Sequence, residues 1–168
     1  MGSAVSMTSL IEQDQHFMRL AMQEAAAAEV LAEVPIGALV VKDGEIVGRG
    51  HNLRETDQDP TAHAEMLAIR QAAQALGSWR LIDCTIYVTL EPCVMCMGGI
   101  ILARIPHLVY ACRDPRVGAV GSIYNFSTDE RFNHKVEVRE GVLQQECSEQ
   151  LSGFFRKLRE QKKQHKQK

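Results

Sequence analysis

The chain has 168 residues, 45% of them hydrophobic and 24% charged, with a formal net charge of −2. That is a soluble globular composition, enough for one domain with a real core and too little for two comfortable ones. No apolar run approaches the roughly 20 residues of a membrane-spanning helix, so a membrane partner is not expected.

The opening "MGSAVSMTSLIEQDQ" lacks the basic start and apolar core of a secretion signal. It fits the pattern M-G-x-x-x-[ST] for myristoylation, and Asn125 opens an "NFS" glycosylation sequon. Short patterns of this kind arise by chance or from cloning, and a sequon has no meaning in a chain that is not secreted. The cysteines are five, Cys84, Cys93, Cys96, Cys112 and Cys147. An odd count without a secretion signal predicts a cytoplasmic protein whose thiols are free or bound to metal.

Residues 1 to 11 read as a flexible N-terminus. A helix is expected from about 12 to 33, where Phe17, Leu20, Ala21, Glu24 and Ala28 keep helical spacing and an alanine run favours helix, until Pro35 stops it. "IGALVVKDGEIVGRGHN" predicts two strands around Asp43-Gly44, a two-residue hairpin turn in which both central positions need positive φ. "DPTAHAEMLAIRQAAQALG" predicts the next helix. Asp59 or Thr61 would cap it, Pro60 suits its first position, Gly77 closes it, and Met66, Ile69, Ala73 and Leu76 form its buried stripe.

"CTIYVTLE" is a short strand expected to be buried on both faces. Pro92 ends it and opens a helix from Cys93 to about Arg104, and "HLVYACR" is a further strand. Residues 114 to 134 are too irregular to place. "KVEVREGVL" predicts the last strand, and a C-terminal helix carries Leu151, Phe154, Phe155 and Leu158 on one side. From Arg156 onward there are seven Lys or Arg against one Glu, +6, which leaves −8 for the rest of the chain. Such a basic tail, most concentrated over about 160 to 168, is either a solvated, frayed helix end or an anion-binding segment. The order α-β-β-α-β-α-β-β-α predicts a mostly parallel sheet covered by helices on both faces, with an antiparallel hairpin included.

Chemistry concentrates in two short stretches. In "EPCVMC", Cys93 and Cys96 are three residues apart and share a helix face. Cys93 lies in the first turn, where unpaired N–H groups and the helix dipole favour thiolate. One C-x-x-C is compatible with a metal, a redox pair or coincidence. In "HAE", His63 adds an imidazole, and an imidazole with two thiolates makes three zinc ligands and an open fourth position, the mark of a catalytic zinc. Glu65 lies roughly 200° around a helix from His63; both reach a metal held at the helix tip, with Glu65 as proton carrier rather than ligand. Two thiolates already balance the charge of zinc, and a third anion would weaken its Lewis acidity. Zinc brings bound water to a pKa of about 7, and Glu65, once burial raises its own pKa, can take that proton and pass it to a leaving nitrogen.

H-x-E followed one βα unit later by P-C-x-x-C is the zinc deaminase signature. From about residue 12 to 160 the chain resembles the bacterial tRNA adenosine deaminases, enzymes of the cytidine deaminase-like fold. The resemblance is carried by "EVPIGALVV", "DPTAHAEMLAIR", "RLIDCTIYVTLEPCVMCMGGII", "ACRDPRVGAVGS", "FNHKVEV" and "FFRKLR".

It implies a single domain with a three-layer α/β/α architecture and a mixed five-stranded sheet. It also implies one zinc per subunit on His63, Cys93 and Cys96, with Glu65 catalytic, and hydrolytic conversion of the wobble adenosine of a tRNA anticodon to inosine. Asn52 would hydrogen-bond the flipped adenine, and Val34, Ile36, Leu90 and Pro92 would line its pocket. Arg113 and Asp114 would contact flanking nucleotides, and Asn133, His134, Phe155 and Arg156 would hold the splayed anticodon loop of an arginine tRNA. A homodimer is implied as well. A loop nucleotide is cheap to extrude, and the basic tail then becomes a phosphate contact whose binding weakens steeply with salt.

Two alternatives share these residues. A deaminase of free guanine, cytosine or deoxycytidylate needs no basic tail. A structural zinc module needs a fourth ligand, for which Cys84 or His51 is the candidate, while Cys112 reads as a packed thiol.

Overall fold

The structure is a computed structural model describing residues 6 to 166, so the Gly2 pattern lies outside the described residues. Ser6 caps α1 (Met7–Val30), its hydroxyl accepting from the Ser9 N–H at 3.2 Å. Residues 7 to 11, expected to be flexible, are therefore helical: a serine cap starts the helix well before the apolar spacing begins. The other end also differs from expectation. The helix stops at Val30, and Ala32 turns the chain at φ 60° before Pro35 is reached.

β1 (Gly37–Lys42) and β2 (Glu45–His51) form the predicted antiparallel hairpin, with φ of 49° at Asp43 and 78° at Gly44. The order then continues through α2 (Ala64–Leu76), β3 (Cys84–Leu90), α3 (Val94–Leu102), β4 (His107–Cys112), β5 (Glu137–Glu140) and α4 (Gln144–Lys166). The sheet runs β2-β1-β3-β4-β5. β1 is antiparallel to both neighbours, while β3, β4 and β5 are parallel.

Alternation along the strands sorts the core into two layers. Ala38, Val40, Ile86, Val88, Leu108 and Tyr110 point to α2 and α3, where Ala64, Ala68, Met97 and Ile100 meet them. Leu39, Val41, Tyr87, Val109 and Ala111 point the other way, onto Phe17, Met18 and Ala21 of α1 and Cys147 of α4. The three-layer arrangement and the mixed sheet are thus as predicted. No helix among the described residues is long and apolar enough to cross a membrane.

α2 departs from its predicted form twice. It begins at Ala64, because Asp59 does not cap it: its Oδ1 accepts from the Thr61 N–H at 2.8 Å and the Thr61 hydroxyl at 2.7 Å, closing a turn ahead of the helix. Its buried face is Ala64, Glu65, Ala68, Ile69 and Ala72, whereas Met66, Ala73 and Leu76 are only half-buried. The reason is β2. A Cβ at Gly48 or Gly50 would collide with the Ala68 or Ala64 carbonyl oxygen, so α2 lies on a bare strand through its alanines. Gly77 ends it at φ 61°, as predicted.

A partly buried ion pair ties the far layer together. Asp14 of α1 is 3% exposed. It accepts from Arg139 Nε at 2.6 Å, Arg139 Nη2 at 2.9 Å and the Tyr87 hydroxyl at 2.9 Å. Removing one partner strands the other charge. Asp14→Ala is expected to lower unfolding free energy by about 3 kcal/mol, and the Asp14→Ala/Arg139→Met double variant by less than the sum of the single changes. Urea unfolding of the four proteins measures both.

Candidate active site

Both helices that meet the carboxyl end of β3 begin with an unusual cap residue. His63 precedes α2 at φ −83°, ψ 150°, and Cys93 precedes α3 at φ −74°, ψ 176°. Neither side chain makes a capping hydrogen bond, and histidine and cysteine are poor choices for that place. The extended backbone instead throws each side chain off its helix end towards the other. Glu65, two residues beyond His63, and Cys96, three beyond Cys93, are 4% and 0% exposed.

The three predicted ligands meet. His63 Nδ1 lies 3.6 Å from Cys93 Sγ and 3.5 Å from Cys96 Sγ. All three donor atoms fall within 4.8 Å of one another. Tetrahedral zinc with bonds of about 2.3 Å to sulfur and about 2.0–2.1 Å to nitrogen sets its N and S ligands about 3.5–3.6 Å apart. The donor set therefore fits that ion in both chemistry and spacing. Among the described residues no fourth His, Cys, Asp or Glu joins the group. His51 pairs instead with Glu24 at 3.0 Å, Cys84 is core, and the Cys112 thiol donates to the Gln144 carbonyl at 3.3 Å.

Electrostatics separate these thiols. Hydrogen bonding from Cys96 pulls Cys93 down to about 4. That same pairing, with burial, drives Cys96 far up. Two sulfurs this close share one proton, and a divalent cation is what lets both be thiolates. The hydrogen bond to Cys93 raises His63 against the opposing effect of burial. Burial lifts Glu65 to about 7. Burial likewise holds Cys112 up at about 11 and so protonated.

A cavity of about 380 Å³ opens over this group, within the size range of small-molecule sites. Val34, Ile36, Asn52, His63, Glu65, Leu90, Cys93, Arg113, Asp114 and Phe155 of the sequence-predicted set line it. Asn52 is engaged at both ends of its amide, donating to the Val34 carbonyl at 3.4 Å and accepting from the Arg54 N–H at 3.1 Å, with one donor and one lone pair left over. Asp114 Oδ1 accepts from the Arg116 N–H at 3.0 Å, and Arg113 is held in a two-pronged pair with Glu140 at 2.8 and 3.0 Å.

The remaining predicted residues are not brought to the cavity. Cys96 and Pro92 are buried behind it, with the Pro92 carbonyl accepting from Ala119 at 2.9 Å. His134 Nε2 hydrogen-bonds the Ile105 carbonyl at 2.7 Å, and Asn133 and Arg156 are exposed away from the lining.

Sequence reasoning missed Arg54, Glu91, Pro115, Arg116, Val117 and Leu151, all in the lining. Leu151 stands one turn before Phe155, a spacing that was visible. Glu91 gave no such signal. It is 2% exposed and accepts from the Ser122 hydroxyl at 2.6 Å and from the Val120 and Ser122 N–H groups at 3.3 Å. A Cβ at Gly118 would overlap its carboxylate, and Gly118 itself bridges to Cys93. Glu91 thus pins the irregular segment beside a metal-ligand candidate.

Comparison with known proteins agrees with this geometry. The family model of MafB19-like deaminases matches residues 12–159. The chain is 53% identical over 151 residues to the tRNA-specific adenosine deaminase of Bacillus subtilis (strain 168), covering 90% of this chain and 94% of that one. It is similar, at TM-score 0.78 and 45% identity over 81% of this chain and 99% of the other, to a solved structure from work on A-to-I editing by tRNA:A34 deaminases at the wobble position of transfer RNA. A guanine deaminase from Bacillus subtilis is similar over 59% of this chain and 64% of its own, at TM-score 0.56 and 44% identity. On fold, motif and identity together, the chain belongs to the bacterial tRNA-specific adenosine deaminases, a branch of the MafB19-like deaminases with the cytidine deaminase-like fold.

Proposed function

We infer that this chain is a hydrolase that deaminates the wobble adenosine, position 34, of tRNA anticodons to inosine. The observation that carries the reading is the imidazole set about 3.5 Å from two sulfurs at the floor of a cavity that a buried carboxylate also enters. Water adds at C6 of the purine, the C6–N6 bond breaks, and ammonia leaves. His63, Cys93 and Cys96 would hold zinc, which supplies the Lewis acidity needed to deprotonate water near neutral pH.

The chain's own groups do the rest. Glu65 accepts the proton of the attacking water and delivers it to the departing nitrogen, shielded from solvent by its burial. Val34, Ile36 and Leu90 give the extruded base apolar walls, and the spare amide donor and lone pair of Asn52 fix its orientation. Phe155, 37% exposed at the rim, offers an aromatic face for a neighbouring base. Arg113 and Asp114 would meet the flanking nucleotides, and Asn133, His134 and Arg156 would serve RNA outside the cavity. An arginine tRNA as substrate, a homodimeric assembly and a cytoplasmic location belong to the same proposal. Val94 and Leu102, exposed on α3, leave apolar surface for a second subunit.

Free guanine or another small base is the alternative substrate, favoured by the likeness to guanine deaminase. The cations Arg54, Arg113 and Arg116 around the cavity favour a polyanion. Separate incubations with arginine tRNA and with free guanine, cytosine and adenine distinguish the two. Ammonia release with tRNA alone is expected; release from a free base alone would reject the tRNA reading.

A further inference from the structure

The cavity has a continuation along α4. Leu151 and Phe155 turn the same side of this helix to the cavity, and α4 runs unbroken to Lys166. At about 100° per residue, Arg159, Lys162 and Lys166 fall within about 40° of the line through Phe155. All three are exposed, and no carboxylate pairs with any of them among the described residues, whereas Lys157, on the opposite side, is tied to Glu29 of α1 at 3.1 Å. The basic end is therefore helical, and Lys157 faces the body while Arg159, Lys162 and Lys166 lead away from the active site.

We propose that Arg159, Lys162 and Lys166 form a phosphate track that carries the RNA backbone from the cavity onto the anticodon stem, so that the enzyme distinguishes a stem-loop from the loop alone. The proposal rests on the tRNA reading above. Eleven residues of helix separate Phe155 from Lys166, about 16 Å of rise. Successive phosphates of a duplex strand lie only a few ångströms apart along the axis, so the row passes several. Phe155 meets the splayed loop and the cations beyond it meet the paired stem. Such contacts carry no sequence information; they set register and affinity.

The test compares the parent with the triple variants Arg159→Gln/Lys162→Gln/Lys166→Gln and Arg159→Glu/Lys162→Glu/Lys166→Glu. Substrates are an anticodon stem-loop and an oligonucleotide of the loop sequence alone. The parent is expected to prefer the stem-loop through KM. In the glutamine variant KM for the stem-loop rises about tenfold or more, kcat stays within about twofold, and the slope of log affinity against log salt falls by about 2 to 3. The glutamate variant shows a larger rise in KM.

The track is overturned if the glutamine variant keeps both its stem-loop preference and its salt slope, or if both substrates lose activity equally. It is also overturned if the parent binds phosphatidylserine vesicles through these residues while RNA affinity is unchanged by their removal. A parent that makes no inosine in any RNA rejects the tRNA reading instead, which separates the two failures.

Discussion

Glu65→Gln is expected to retain one zinc per chain, fold normally and lose turnover by about 10²- to 10⁴-fold. The side chain is 4% exposed in the first turn of α2 and is not one of the three donors that could hold the metal. An amide of the same shape fills its space but cannot carry a proton between water and the leaving nitrogen. A carboxylate with a merely structural role predicts the reverse, retained turnover and lowered stability. Neutralising a buried carboxylate removes a desolvation cost, so the melting temperature of Glu65→Gln should equal or exceed that of the parent. Calorimetry, metal analysis and inosine formation on one preparation decide the matter. Full activity in the variant would end the proton-carrier assignment.

Cys96→Ser and His63→Ala should act at the step before, by emptying the site. Each removes one of the three candidate donors found among the described residues, and a weakly acidic hydroxyl or a methyl cannot replace thiolate or imidazole. Bound zinc is expected to fall about tenfold or more, with activity lost in proportion. The melting temperature should drop, since metal bound to the folded chain alone stabilises it. Extended dialysis of the parent against a chelator should reproduce that drop, and added zinc should reverse it. Cys84→Ala and Cys112→Ala are the controls. Neither thiol is near the group, so both variants should keep their metal. Zinc lost from Cys84→Ala would revive a four-ligand structural site and contradict the open coordination inferred here.

What the sequence revealed depended on how local the cause was. The hairpin at Asp43-Gly44 and the stop at Gly77 are set by backbone φ at single positions, and both were legible. The convergence of the candidate ligand trio was legible because His63 and the Cys93–Cys96 pair each carry their chemistry in neighbouring letters. Their unusual placement as helix caps was not foreseen, although it explains how side chains on two helices come to meet. The start of α2 was misplaced because an aspartate followed by proline and threonine closes a turn as readily as it caps a helix. Its buried face was misjudged because large side chains drew attention, while the packing is set by what β2 lacks at Gly48 and Gly50. Glu91 and Arg54 could not be anticipated. Their places in the cavity follow from which loops the sheet brings together, and no spacing in the chain announces that. The reach of α1 back to Met7 and of α4 out to Lys166 reflects capping and continuity in segments too polar to show a buried stripe.

The most direct measurement is mass spectrometry of an arginine tRNA carrying adenosine at position 34, incubated with the zinc-loaded protein in water enriched in heavy oxygen. The expected product is inosine at that position alone, with solvent oxygen on C6 and ammonia released in equal amount. Unchanged adenosine at position 34, or inosine whose new oxygen did not come from water, would contradict hydrolytic wobble deamination by this site.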